Sequence, residues 1–296
     1  MRFSVLTPTY NRGYIIEQLY DSLCRQTFRD FEWVVVDDGS TDNTEEVMQR
    51  LMARDRFFPI VYHKQPNGGK HRAWNRGVEL ASGEMIFGCD SDDYLTDDAL
   101  ETANRVELSV PETEKVNFAG VCGLKAYRDA SEVGSTFVDA EYMDITHLER
   151  IQNHILGDKS EVIYTAVWKK YKFHEFNGEN FLTEATALNR MAADGLKMRY
   201  FNKVIKVIEY LPDGLSSDPL GRFAANPKGW ALYICQQIQH GLLHGHKKWE
   251  SITNYYDRCN GTIGLRGVAR NLRMSPLRVK MIAFLTARYW KFKKSI

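Results

Sequence analysis

Short apolar runs alternate with amphipathic stretches through the first hundred residues of the chain. Runs rich in Val, Ile and Phe indicate buried strands, whereas apolar residues at every third or fourth position indicate helices. The pattern predicts strands at 3–9, 32–38, 59–64 and 84–90, and helices at 15–25, 43–54 and 70–81. Strands that alternate with helices form parallel sheets through right-handed crossovers. The sequence therefore predicts an α/β fold with a mostly parallel central sheet flanked by helices.

The pattern is weaker beyond residue 96. It predicts helices at 97–108 and 183–193, strands at 116–122, 161–168 and 198–210, and from residue 226 only helices, including 230–243 and 276–292. We therefore expect one domain over residues 1–215, made of a first half at 1–95 and a second half at 96–215. A helical C-terminal extension is expected at 216–296.

Four polar segments directly follow the four predicted strands of the first half. They lie at residues 7–12, 37–44, 65–72 and 90–93. The carboxyl ends of parallel strands meet at one edge of a sheet, and ligands of such sheets bind at that edge. We therefore expect the four loops to converge on one ligand.

The fourth loop is acidic and has the sequence Asp90-Ser91-Asp92-Asp93. Clustered carboxylates repel one another unless a cation is present, and Mg²⁺ or Mn²⁺ is typically held by one or two carboxylates together with substrate phosphates. An EF-hand loop is excluded, because Tyr94 and Leu95 stand where an acidic ligand and a glycine are required. A helix N-cap would account for only one of the acids. The loop predicts a divalent cation site that a nucleotide diphosphate completes.

The second loop, Asp37-Asp38-Gly39-Ser40-Thr41-Asp42, is also acidic. Gly39 suits a positive φ, and the polar residues after it suit a helix cap, so a plain turn is one interpretation. The other interpretation is a nucleotide site, in which a carboxylate accepts hydrogen bonds from a base or a ribose.

The third loop, Asn67-Gly68-Gly69-Lys70-His71-Arg72, combines glycines with basic residues. It lacks the upstream glycine of the Walker pattern, and His71 stands where that pattern needs Ser or Thr. A pair of glycines nevertheless opens a helix, with Lys70 and Arg72 close enough to meet a pyrophosphate. A solvated basic helix start is the alternative.

Composition and cysteine usage narrow the class of protein. The chain has 44% hydrophobic and 26% charged residues, as ordinary globular proteins do. Its five cysteines are scattered without a C-x-x-C pair, which argues against a zinc site and a disulfide framework. Neither a signal peptide nor a run of 18 apolar residues is present. We therefore expect a cytoplasmic protein.

Basic charge is concentrated at the C-terminal end. Residues 261–296 contain nine Lys and Arg and no Asp or Glu, although the formal net charge of the whole chain is only +1. Aromatic and aliphatic residues alternate with these bases, a composition that suits peripheral contact with an anionic membrane surface. A packed helix with a solvated basic face is the alternative. No motif supports a nucleic-acid partner.

The four loop motifs together resemble family 2 glycosyltransferases of the GT-A fold. The strings that carry the resemblance are VLTPTYNR, DDGSTDNT, NGGKHRAWNRG and CDSDD, in this order over roughly the first hundred residues. The resemblance implies an enzyme of bacterial glycan or polysaccharide biosynthesis. It also implies a nucleotide-sugar donor, usually a UDP-sugar, and a reaction that inverts the anomeric configuration.

The resemblance also assigns residues to the donor site. It implies that the first loop lines the base and ribose, that the second binds the base, and that the third lies near the donor. The residues concerned are Pro8, Thr9, Tyr10 and Arg12 in the first loop, Asp37 and Asp38 in the second, and Gly69, Lys70 and Arg72 in the third. Asp90 and Asp92, on either side of Ser91, match the D-x-D pair that holds Mn²⁺ or Mg²⁺, with Asp92 the better candidate for direct contact.

The family has an acidic general base at the start of a helix in the half that binds the acceptor. Glu184, in GENFLTEATALNRMA, matches this position. The sequence has Glu-Ala where the family commonly has Glu-Asp, and Glu179 is the second candidate. Apart from the resemblance, an acid in the first turn of a helix is favourable to the helix dipole whatever its role.

We therefore expect residues 1–95 to bind the nucleotide sugar and residues 96–215 to bind the acceptor, a glycan or a lipid-linked oligosaccharide. Two alternatives stay open. A nucleotidyltransferase that forms sugar nucleotides shares the sheet and the acidic site, but its glycine-rich first loop is replaced here by Pro-Thr-Tyr-Asn. A non-catalytic carbohydrate-binding protein would have no use for clustered carboxylates.

Overall fold

The computed structural model describes residues 1–137, 140–209, 211, 214 and 218–293. These form two compact units. Unit 1 consists of Met1–Phe173 and Arg190–Gly214, and unit 2 of His174–Asn189 and Leu215–Ile296. Residue 210, the predicted end of a strand, and residues 294–296 of the basic segment lie outside the described residues.

Unit 1 is built on a mixed β-sheet. Its strands are β1 (Phe3–Thr9), β2 (Phe31–Asp37), β3 (Ile60–Lys64), β4 (Met85–Gly88), β5 (Tyr94–Leu95), β6 (Phe118–Tyr127), β7 (Tyr142–Thr146), β8 (Lys159–Tyr164) and β9 (Lys197–Ile208). The strand order is β3-β2-β1-β4-β8-β6-β9-β5, with β7 also paired to β9. The β3-β2-β1-β4 half is parallel. β8 then joins β4 and β6 in antiparallel orientation.

Helices connect the strands of unit 1. They are α1 (Ile16–Cys24), α2 (Thr44–Met52), α3 (Lys70–Leu80), α4 (Ala99–Leu108) and α5 (Thr165–Lys170), and α6 (Ala185–Ala193) continues from unit 2 into unit 1. The α/β fold with a central sheet flanked by helices is confirmed. The strand predicted at 161–168 was wrong at its end, because the chain turns into α5 at Thr165.

The inner strands of the parallel half of the sheet, β1 and β2, are buried on both faces. Every residue of β1 and β2 is buried, as expected for parallel strands covered by helices on each side. Helix α3 packs closely on β1 at Gly77, where a Cβ atom would lie 2.1 Å from Leu6 Cδ1. This packing fixes the position of α3, whose first residue is Lys70.

Unit 2 is helical in its described residues. After the start of α6 it contains α7 (Pro219–Ala225), α8 (Pro227–Gln239), α9 (Gly245–Asn271) and α10 (Pro276–Lys293). A residue with positive φ, Gly264, breaks α9 into two helical segments. Trp230, Tyr255 and Val268 belong to the core of this unit, which is separate from the core of unit 1. Within the described residues, no helix combines the length and apolarity that crossing a membrane requires.

Candidate active site

The first and second loops are joined by hydrogen bonds at the carboxyl edge of β1 and β2. Asn11, with a φ of 52°, accepts a hydrogen bond from the backbone N–H of Thr41 (2.8 Å) and donates its own backbone N–H to Ser40 Oγ (2.8 Å). The backbone N–H of Arg12 donates to Thr44 Oγ1 at 3.0 Å. These contacts make the predicted nucleotide loops one connected structure. Asn11 was not among the predicted site residues, although its position within VLTPTYNR could have indicated it.

The side chains of the first loop differ in exposure. Pro8 and Thr9 are buried in β1, and Thr9 Oγ1 has no hydrogen-bond partner among the described residues. Tyr10 is 46% exposed. The Arg12 guanidinium lies over the Tyr14 ring, 5.8 Å from its centroid. Tyr10, Arg12 and Tyr14 thus offer aromatic and cationic surface beside the ends of β1 and β2.

Asp37 and Asp38 are buried, and the carboxylates of both accept hydrogen bonds from other residues of the protein. Asp37 accepts hydrogen bonds from the backbone N–H of Ser40 (2.7 Å) and from Tyr62 Oη (2.7 Å). Burial and the bond to Asp37 raise the pKa of Tyr62. Asp38 reaches across to the third loop, where it accepts hydrogen bonds from Gly68 N (2.9 Å), Gly69 N (2.6 Å) and Gln65 Nε2 (2.8 Å). Asp38 therefore holds the second and third loops together.

The third loop brings a lysine to the acidic loop. Gly69, with a φ of 95°, precedes Lys70, the first residue of α3. Lys70 Nζ lies 2.8 Å from both carboxylate oxygens of Asp90. Arg72, on the first turn of α3, donates to the backbone oxygen of Gly68. The structure thus places Lys70 beside Asp90 of the fourth loop, whereas the contact seen for Arg72 is with Gly68 of its own loop.

The acidic loop follows β4 and carries three carboxylates in unequal environments. Burial alone would raise the pKa of Asp90, but the ammonium groups of Lys70 and Lys206 lower it to about 2. Burial and the charge of Asp90 raise the pKa of Asp92. Burial likewise raises the pKa of Asp93, to about 7, against the opposing effect of Lys206. Ser91 between them is 6% exposed.

This donor set fits a divalent cation. The raised pKa of Asp92 means that burial, and then the charge of Asp90, disfavour its ionised form when no cation is near. Carboxylate oxygen is the ligand type that Mg²⁺ and Mn²⁺ prefer. Asp90 is already paired with Lys70, so Asp92 is the better placed of the two predicted ligands. Among the described residues, no group of three or more His, Cys, Asp or Glu side chains is arranged to hold a metal ion, so oxygens of a bound substrate would have to complete the ligand set of the two carboxylates.

Lys206 is a site residue that the sequence analysis missed. It lies on β9, is 7% exposed, and donates from Nζ to the backbone oxygen of Gly88 at 2.9 Å. Its charge lowers the pKa values of Asp90 and Asp93. A lysine within the apolar strand sequence KVIKVI is the signal that could have indicated it.

The two candidate bases, both in unit 2, differ sharply in environment. Glu179 is 7% exposed and accepts hydrogen bonds from the backbone N–H groups of Lys228 (2.7 Å) and Gly229 (2.9 Å), so it caps the start of α8. Glu184 is exposed and directly precedes α6. Its backbone oxygen accepts a hydrogen bond from the N–H of Ala187 at 2.9 Å. Glu184 therefore presents a carboxylate to solvent at a helix start.

The segment that contains all four loops has known relatives. Residues 4–104 match the model of the family described as Glycosyl transferase family 2. This part of the chain, which we call the family 2 segment, is therefore similar to members of that family. The family segment contains the predicted donor residues, whereas Glu184 and the basic segment lie beyond it.

Curated relatives match over about a third of the chain. One is the GalNAc(5)-diNAcBac-PP-undecaprenol beta-1,3-glucosyltransferase of Campylobacter jejuni, 40% identical over 105 residues, which are 34% of this chain and 33% of the relative. Another is Glycosyltransferase GlyG of Streptococcus pneumoniae, 36% identical over 99 residues, which are 33% of each chain. The chain thus spans about a third of the length of these relatives.

Solved structures show that the fold extends beyond the family 2 segment. Residues 1–349 of Staphylococcus aureus TarS, in complex with UDP-GlcNAc, align at a TM-score of 0.63 and 20% identity, over 95% of this chain and 84% of that one. The mannosyltransferase PcManGT of Pyrobaculum calidifontis, in complex with GDP-Man and Mn²⁺, aligns at 0.55 and 16%, over 99% and 79%. The predicted GT-A fold is therefore confirmed.

Proposed function

We propose that this protein is an inverting glycosyltransferase. It moves a sugar from a nucleotide diphosphate, which we expect to be a UDP-sugar, to a hydroxyl group of a glycan or a lipid-linked oligosaccharide. The observation that carries the proposal is the group formed by Lys70, Asp90 and Asp92 at the edge of the family 2 sheet, next to the joined first and second loops. The named activities of the family 2 relatives support it.

In the donor half, acidic side chains would hold a cation and basic side chains would lie near the same donor phosphates. Asp92, with Asp90, would hold Mn²⁺ or Mg²⁺ and the oxygens of the donor diphosphate would complete the ligand set. Such a cation, when bound, supplies Lewis-acid stabilisation of charge on the departing diphosphate. Lys70 and Arg72 add positive charge near the same phosphates. The base and ribose would be lined by Pro8, Thr9 and Tyr10 of the first loop and by Asp37 and Asp38 of the second.

Glu184 is the proposed general base. It would take the proton from the acceptor hydroxyl as that oxygen bonds to the anomeric carbon and the bond from this carbon to the diphosphate breaks on the opposite face. One displacement inverts the anomeric configuration. Glu179 is disfavoured, because both of its carboxylate oxygens are bonded to the start of α8.

The proposed place of action is the cytoplasm, with peripheral contact at the inner face of the membrane through residues 261–296. All five cysteines are free, which suits a reducing compartment. A lipid-linked acceptor would lie at that face, and one relative is named for an undecaprenol-linked acceptor.

Donor turnover tests the proposal directly. The full-length chain is screened against a panel of UDP- and GDP-sugars with Mn²⁺, and release of the nucleotide diphosphate is measured. Asp92→Ala and Glu184→Gln should each lower transfer on the order of 10²- to 10⁴-fold. Glu112→Gln, which removes a carboxylate that is 85% exposed, is the matched control and should transfer normally.

Three outcomes would contradict the proposal. Release of pyrophosphate would indicate a nucleotidyltransferase instead, and sugar binding without donor turnover would indicate a binding protein. Full activity of both variants would overturn the residue assignments.

A further inference from the structure

The C-terminal helix α10 is packed on only one of its sides. Val279 is fully buried in the core of unit 2, and Ile282 is 6% exposed there. Thr286, on the same side, is 5% exposed and donates its hydroxyl to the backbone oxygen of Ile282 at 2.8 Å. The spacing of three and four residues places these side chains on one face of the helix. This inner face accounts for the folding of α10 onto its own unit.

A second apolar face of α10 is exposed. It consists of Leu277, Met281, Phe284 and Leu285, which we call the outer apolar face. Leu277 is 79% exposed and Phe284 is 59% exposed, while Met281 and Leu285 are 53% and 42% exposed. Their spacing again places them on one side of the helix. Contiguous exposed apolar side chains of this kind mark interaction surfaces.

Basic side chains border the outer apolar face. Arg278 and Lys280 are exposed and follow Leu277 by one and three positions, so helical geometry places one on each side of the face. Arg288 lies one turn beyond Phe284, with its guanidinium 5.8 Å from the centroid of that ring. Within the described part of residues 261–296, no Lys or Arg forms an ion pair. The surface therefore combines apolar side chains with uncompensated positive charge.

Two aromatic residues follow the outer apolar face. Tyr289 and Trp290 are 44% and 37% exposed near the C-terminal end of α10. Such side chains favour the boundary between water and hydrocarbon, where the ring is covered and its polar atom remains hydrated.

We propose that α10 lies in the surface of an anionic membrane, with its outer apolar face among the acyl chains and its bases at the lipid headgroups. An exposed apolar helix face that is bordered by bases suits the boundary between lipid headgroups and acyl chains. A second copy of the chain is disfavoured as the occupant, because the two surfaces would carry like charge. A nucleic acid is disfavoured, because it would leave Phe284 and Leu285 in water. The inference extends the proposed membrane contact and rests on the proposed function only for expecting a lipid-linked acceptor there.

Vesicle flotation of the full-length chain tests this proposal. We expect flotation with vesicles that contain phosphatidylglycerol and much weaker flotation with phosphatidylcholine alone. Phe284→Ser/Leu285→Ser removes apolar area, and Arg278→Gln/Lys280→Gln removes charge. Each double variant should lower the partition coefficient by about tenfold or more.

Matched controls change equally exposed residues elsewhere. Leu108 and Val116 are 62% and 78% exposed, so Leu108→Ser/Val116→Ser controls for lost apolar surface. Lys247→Gln/Arg258→Gln changes exposed bases of α9 and controls for lost charge. Both controls should float like the unchanged protein. Donor hydrolysis without vesicles should be equal in all variants, so a failure of the proposed function would be visible separately.

Several results would overturn the inference. These are no flotation with anionic vesicles, flotation that the serine variant retains in full, and binding of duplex DNA in place of vesicles. Concentration-dependent self-association that the serine variant abolishes, measured by sedimentation velocity without lipid, would instead assign the face to a second copy of the chain.

Discussion

Asp38 is bonded through both of its carboxylate oxygens to the loop that leads into α3. Asp38→Asn keeps the size of the side chain but turns an amide N–H₂ toward N–H groups that need an acceptor. We expect the free energy of unfolding to fall by about 1–3 kcal/mol. Because the same loop positions Lys70, UDP affinity measured by titration calorimetry should fall as well.

The control for Asp38 is Asp30→Asn. The side chain of Asp30 is 61% exposed, and its ion pair with the N-terminal amine is long, at 3.9 Å. It should unfold at the same denaturant concentration as the unchanged protein. Equal stability of Asp38→Asn and the unchanged protein would show that the loop does not depend on these hydrogen bonds.

His147 gives unit 1 a pH dependence of stability. Its Nδ1 is buried without a hydrogen-bond partner among the described residues, and burial, with the charge of Arg150, lowers its pKa from 6.5 to about 3. Between these values the unfolded chain binds a proton that the folded chain excludes, so stability is present above pH 6.5 and is lost as pH falls toward 3. The slope contributed should approach about 1.4 kcal/mol per pH unit.

Urea unfolding at several pH values measures this slope. His147→Leu should be less dependent on pH in the acid range, whereas a control at exposed His246, His246→Leu, should keep the slope of the unchanged protein. An identical slope in His147→Leu would show that this ring is protonated in the folded state.

The sequence indicated the acidic residues of the site more readily than the lysine near them, Lys206. Asp90 and Asp92 follow an apolar run directly, so the end of a strand could be predicted from local pattern. Lys206 and Gly88 are 118 positions apart in the sequence, and they meet only because the fold brings β9 close to the end of β4. Periodicity contains no information on such long-range contacts. Likewise, the sequence left Glu179 and Glu184 open, and only the contacts of Glu179 with α8 distinguish their environments.

At the scale of secondary structure, α3 depends on a glycine where helices ordinarily favour alanine. Gly77→Ala would place a Cβ atom 2.1 Å from Leu6 Cδ1 of β1. The gain in helix propensity is up to about 1 kcal/mol, and the cost of overpacking is about 1–3 kcal/mol. We therefore expect net destabilisation, measured by chemical denaturation.

Gly261 in α9 provides the opposite case, because a Cβ there meets no atom within 4 Å. Gly261→Ala should raise the free energy of unfolding of its unit by up to about 1 kcal/mol. The pair Gly77→Ala/Leu6→Ala should recover part of the strain but leave a cavity. Stabilisation by Gly77→Ala alone would mean that α3 can move away from β1 at little cost.

The elements were predictable where each strand is followed by a crossover helix. The first four strands repeat that unit, and the continuous apolar sequences of β1 and β2 identify these two as buried. β5 has only two residues and β7 is half-buried throughout, so neither has the length or alternation that identifies a strand. β8 was predicted at 161–168, but its end was wrong, because the strand passes directly into α5. Their positions are set by pairing with β9 and β4.

At the scale of the whole molecule, two units have separate cores, and each of them is made of two separate segments of the sequence. Residues 174–189 join the C-terminal helices, although the sequence pattern alone assigned them to the first domain. The boundary predicted at residue 215, between the first domain and the helical C-terminal extension, stays a prediction. The GT-A fold followed from four local motifs, whereas the division into units depends on contacts such as that of Glu179 with α8.

This division predicts that a change at Glu179 acts mainly within its own unit. Glu179→Gln replaces one acceptor oxygen by an amide N–H₂ facing the start of α8, which should cost about 1–3 kcal/mol of local stability. Hydrogen exchange followed by mass spectrometry should then show faster exchange in α8, with peptides of β1 and β2 unchanged. Glu184→Gln, at an exposed carboxylate, should leave exchange in α8 unchanged while it lowers sugar transfer. Equal acceleration in β1 and α8 would mean that the two cores unfold as one, because a cap lost in one unit would then destabilise both.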